Sequence, residues 1–132
     1  MTQGIADEIA AAHHADVALA DRAAIDALAY FSAALEFRGE TGDPAENERL
    51  RLLASTQHTK YDLLFATVLD PGAPVEGRRH AYDPRYRSLV DRHVHRLLHE
   101  DGIDHVRVLH DAHDLDRAVL LAVTAAASAV PA

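Results

Sequence analysis

A chain of 132 residues has room for one hydrophobic core and not for two, since folding at this length removes roughly 70% of the unfolded surface from water. Hydrophobic residues at 48% and charged residues at 26% exclude gross disorder, and the lack of cysteine excludes a disulfide framework and a thiolate zinc site. Thirteen Lys and Arg against 21 Asp and Glu give a formal charge of -8, which opposes nonspecific attraction to nucleic acid or anionic membranes, while ten histidines make that balance sensitive to pH below about 6.5. No apolar run approaches the roughly 20 residues of a membrane helix, and the N-terminus lacks the basic start and apolar stretch of a signal peptide. The expectation is a cytoplasmic protein with neither a nucleic-acid nor a membrane partner.

Ile5, Ala6, Ile9 and Ala10 recur at helical spacing, so a short amphipathic helix is expected over residues 2–14. Asp16 to Ala20 is a short apolar run cut off by the charged pair Asp21-Arg22, which predicts a buried strand. Residues 23–37 are dense in Ala, Leu and aromatics and close on Gly39, the pattern of a buried helix with a glycine stop. Asp43-Pro44 supplies a cap and a first-turn proline for a helix to about Ser55.

Tyr61 to Leu69, YDLLFATVL, is nearly continuously apolar and is stopped by Asp70-Pro71-Gly72, which suits a strand covered on both faces. Pro71 to Tyr82 carries two prolines, two glycines and the Glu76-Gly77-Arg78-Arg79 cluster, and predicts an exposed, mobile segment. Asp83-Pro84 repeats the cap, and Tyr86, Leu89, Val90, Val94, Leu97 and Leu98 mark a helix to Gly102. A last strand over His105 to Leu109, an Asp111 or Asp114 cap and an alanine-rich helix to about Ala127 complete the chain. The alternation predicts a single α/β domain over residues 1–132, with a short parallel sheet of about three strands flanked by helices.

Asp21-Arg22 followed by Ala24-Ile25-Asp26-Ala27-Leu28-Ala29-Tyr30 resembles the "DR..iD.laY" segment of AAA-type P-loop ATPases related to ribosylnicotinamide kinases. In the same order, Tyr61 to Phe65 resembles their next strand, Leu69-Asp70-Pro71 its exit, and Ile103 to Leu109 their last core strand. Glu76-Gly77-Arg78-Arg79, with Pro84, Arg85 and Arg87, resembles their arginine-bearing lid, here about residues 72–87. The resemblance runs from about residue 3 to residue 125 and implies the C-terminal two-thirds of a three-layer P-loop NTPase-like fold.

One part of that family's pattern is missing. No G-x-x-x-x-G-K-[ST] loop occurs, and the single lysine, Lys60, follows Thr59 rather than glycine. In the family the strand carrying this loop lies between the strand ending in Asp-Arg and the one resembling Tyr61 to Leu69. Without it those two strands must pair directly, or the apolar residues flanking the gap stay exposed and prone to self-association.

The resemblance implies ATP and Mg²⁺ as cofactors and a small-molecule substrate, with neither cofactor held tightly by this chain alone. It makes Asp21 the catalytic carboxylate, reaching Mg²⁺ through water or accepting a proton. It makes Arg22, Arg78, Arg79, Arg85 and Arg87 the phosphate-binding or substrate-binding groups, since guanidinium stays charged and grips phosphate oxygens in pairs. The plainer alternatives are a helix cap for Asp21 and a solvated charged surface for the arginines. Asp91, His95 and His99 share a helix face at metal-ligand spacing without an H-E-x-x-H motif; His110 and His113 read as helix-start polar residues, and Tyr30, Phe31 and Phe37 as core. The functional expectation is a truncated P-loop NTPase-like protein without independent catalysis. The alternative is a noncatalytic α/β binding or interaction module on the same scaffold.

Overall fold

The computed structural model describes residues 1–70, 72 and 83–129. Among them the chain runs α1 (Thr2–His14), α2 (Ala24–Phe37), α3 (Pro44–His58), β1 (Phe65–Thr67), α4 (Pro84–Glu100), β2 (Val106–Val108) and α5 (Ala112–Ala129). The architecture is mixed α/β and mostly helical. β1 and β2 form a two-stranded parallel sheet in the register Phe65↔Val106, Ala66↔Arg107, Thr67↔Val108, extended at its ends by Val106 N–H to the Leu64 carbonyl and Val68 N–H to the Val108 carbonyl.

The helix ends follow the local chemistry. Asp43 and Asp83 each accept a hydrogen bond from the backbone N–H two residues on, at 3.1 and 2.9 Å, and each precedes a proline that has no N–H to satisfy. Gly39 and Gly102 follow α2 and α4 at φ +69° and +60°, the left-handed region where a side chain would be strained. Asp111 caps α5 by accepting from Asp114 N–H at 2.8 Å.

The core lies where α2 crosses α4. Ile25, Leu28 and Ala29 of α2 meet Leu97 and Leu98 of α4, with Ala66 of β1 and Ile103 closing the cluster. A smaller cluster joins Ile5 of α1, Ala24 of α2 and Ala54 of α3. Tyr61 ties α1 to the start of α2: its hydroxyl donates to the Glu8 carboxylate at 2.9 Å and accepts from Ala24 N–H at 3.5 Å. Burial and the Glu8 carboxylate push the Tyr61 phenol up to about 12.

Two expectations are corrected. Residues 15–23 contain no strand; Val17 and Leu19 are exposed, Leu19 at 91%. An apolar run makes a strand only when a neighbour takes its N–H and C=O groups, and among the described residues no strand pairs with this one. The sheet among the described residues therefore has two strands rather than three, and both are shorter than the apolar runs that contain them. The expected exposed segment over 71–82 lies outside the described residues apart from Gly72.

Candidate functional site

The structure brings two of the expected phosphate-binding arginines onto one aromatic ledge. Arg22, in the turn before α2, holds its guanidinium carbon 5.4 Å from the Tyr30 ring centre. Tyr30 lies 6.4 Å from Tyr86, and Tyr86 meets Phe37 edge-on at 5.7 Å. Arg85 completes the row, 5.5 Å from the centre of Phe37. Tyr30 and Phe37 sit seven residues apart on α2, two helical turns, while Arg85 and Tyr86 belong to the first turn of α4. The helix crossing thus aligns three rings between two cations, and the Tyr86 hydroxyl pins the helices by donating to the Tyr30 carbonyl at 3.3 Å.

Local electrostatics fix the ends of the row. Arg22 adopts φ +70°, a conformation uncommon for a residue with a side chain. Arg85 meets Asp83 through Nε at 3.3 Å and Nη2 at 3.1 Å, which raises the guanidinium further and holds the Asp83 carboxyl below its usual range. Beside them an open groove of about 710 Å³ is lined by Glu36, Phe37, Pro84, Arg85, Ser88 and Leu89. Glu36 is engaged by Arg92 at 2.5 Å and by His93 Nε2 at 2.6 Å, and these partners, His93 first, lower its pKa. His93 is buried, and Arg96 donates to its Nδ1 at 2.8 Å, so the ring carries its proton on Nε2 and gives it to Glu36.

Tyr30 and Phe37, expected in the core, are instead exposed members of this ledge. Asp21 is exposed at the turn beside Arg22, and the carboxylate serving the start of α2 is Asp26, which accepts from Ala23 N–H at 2.8 Å. Burial, the largest influence on Asp26, raises its pKa. Arg87 lies on the first turn of α4, while Arg78 and Arg79 lie outside the described residues. Glu36 and His93 escaped sequence reasoning; the one signal for His93 was its place among Val90, Val94 and Leu97 on the apolar side of α4.

The remaining polar groups have structural work. Asp91 accepts from Leu69 N–H at 3.0 Å and His95 Nε2 approaches the Thr67 carbonyl at 3.1 Å, so this pair secures the exit of β1. Asp111, His113 and Asp114 offer ligand atoms within 4.8 Å of one another, but Asp111 caps α5 and Asp114 accepts from Leu109 N–H at 2.8 Å.

The ledge suits a flat ring with an acidic group, rings for stacking and guanidinium for anionic oxygens. The Mg²⁺ that the resemblance implies fits less well: the sequence has no G-x-x-x-x-G-K-[ST] loop to supply the lysine and hydroxyl that phosphate transfer requires beside Asp21. No catalytic step through that ion follows. No helix among the described residues is long and apolar enough to cross a membrane. Comparison with family models, with curated proteins and with solved structures finds no match to this chain.

Proposed function

We propose that this chain is a P-loop NTPase-like unit without its phosphate loop, an ATP-related binding domain with no independent catalysis. Beside the resemblance, one observation carries the reading: β1 and β2 pair in parallel while the apolar run 16–20 stands unpaired and exposed. That is the pattern expected if the strand between them is lacking. Arg22 and Arg85 then serve as the anion-binding ends of the ledge, with Tyr30 and Phe37 facing a nucleobase. Asp21 is the carboxylate that acts once a phosphate loop is supplied.

Calorimetric titration with ATP, with and without Mg²⁺, tests the reading. Expected are a dissociation constant weaker than about 100 μM, no turnover, and weaker binding still in Arg22→Ala and Arg85→Ala. Fusing a phosphate-loop segment from a protein with the same strand-end motifs should confer turnover that falls roughly 100-fold or more in Asp21→Asn. Micromolar ATP binding with turnover by the chain alone would overturn the proposal, and an unchanged rate in the Asp21→Asn fusion would remove Asp21 from the site.

A second reading, a noncatalytic interaction module, is favoured by the exposed aliphatic side of α5.

A further inference from the structure

Helix α5 is built inside out. Its less exposed side, toward the rest of the chain, carries Asp114, Ala118, Ala122, Ala125 and Ala126. Leu115, Val119 and Val123 follow one another at four-residue spacing on an adjoining, exposed side with Leu120 beside them, and the last three are 63%, 61% and 66% exposed in the order Val119, Val123, Leu120. A helix that packs on its own domain turns its large apolar side chains inward and its small or polar ones out. This one does the reverse, and among the described residues it packs appreciably only against β2.

Residues 118–129 contain no charged side chain, although the chain as a whole carries -8. A partner recognised by charge has nothing to grip there, whereas a second copy presents the same neutral, aliphatic surface without repulsion along the contact. The exposed charges of this helix nearest that surface, Asp116 and Arg117, both lie near the N-terminus of α5. Parallel pairing would set two Asp116 carboxylates side by side. Antiparallel pairing separates them by about 15 Å along the axis and opposes the two helix dipoles favourably.

We infer that α5 is a self-association surface, pairing antiparallel with α5 of a second copy about a two-fold axis, Val119 of each copy against Val123 of the other and Leu115 against Ala127. Such a contact is isologous and closes at two copies. One helix pair falls short of the roughly 800 Å² per partner of a standard interface, so the dimer dissociates in the micromolar range. This deepens the interaction-module reading and does not depend on nucleotide binding, so ATP titration and sedimentation can fail separately.

Sedimentation equilibrium of the full chain from about 1 to 200 μM is the test. The wild type should pass from monomer to dimer. Val119→Glu with Val123→Glu should stay monomeric with unchanged helical circular dichroism, and Val119→Ala with Val123→Ala, which favours the helix, should weaken association at least tenfold. Because the chain has no cysteine, Leu115→Cys with Ala127→Cys should oxidise to a covalent dimer and Leu115→Cys alone should not. A wild type monomeric throughout, a dimer indifferent to both double variants, or a monomer that binds phosphatidylcholine vesicles through α5 would overturn the inference; crosslinking by Leu115→Cys alone would overturn the antiparallel arrangement.

Discussion

His58 closes α3 with its Nε2 buried and, among the described residues, without a hydrogen-bond partner, and burial lowers the pKa of the ring below the usual 6.5. The unfolded chain therefore takes up a proton that the folded chain refuses. His58 contributes fully to stability above pH 6.5, and its contribution is lost as pH falls through 6.5 toward the lowered folded value. Urea midpoints between pH 7.5 and 5.5 should fall more steeply for the wild type than for His58→Met. Tyr61 has the opposite sign. Its phenol, held up to about 12, favours the fold completely below pH 10 and loses that contribution as pH rises from 10 through 12. Tyr61→Phe, which gives up the Glu8 and Ala24 hydrogen bonds, should cost about 1–2 kcal/mol near neutral pH and lack that alkaline loss.

The α2–α4 crossing supplies most of the core, so its interior positions carry most of the packing energy. Leu98 is buried against α2, and Leu98→Ala should cost about 2–5 kcal/mol in equilibrium unfolding. Val123→Ala, on the outward side of α5, should change the stability of the dilute chain by less than about 0.5 kcal/mol. Both helices of the core were legible in the sequence, because Asp83-Pro84, the closing glycines and aliphatic spacing are local signals. The run 16–20 misled for a physical reason: composition reports that residues can form a strand, while hydrogen bonding to a neighbour decides whether they do. The arginine–aromatic ledge was half legible. Arg22 and Arg85 stood out by type, but their meeting depends on the crossing of α2 and α4, which joins positions about 60 residues apart and leaves no mark in either local pattern. The outward side of α5 was hidden as well, since its alternation of alanine with leucine and valine does not reveal which side meets the sheet.

Across the molecule, the sequence anticipated a mixed α/β chain with parallel strands, and the structure has both. Cohesion is uneven. The α2–α4 core and its strand are held by buried Leu, Ile and Ala, whereas α5 turns Asp114 and alanines toward the body and among the described residues has no fully buried side chain. An element fastened so lightly can come away while the rest stays intact. Backbone amides report such openings by the rate at which they trade hydrogen for deuterium. In dilute solution those of α5 should exchange orders of magnitude faster than those of α2 and α4, whose release requires the whole core to open. If α5 pairs between copies, its amides alone should slow as protein concentration is raised, so that one helix keeps a record of how crowded the molecules are.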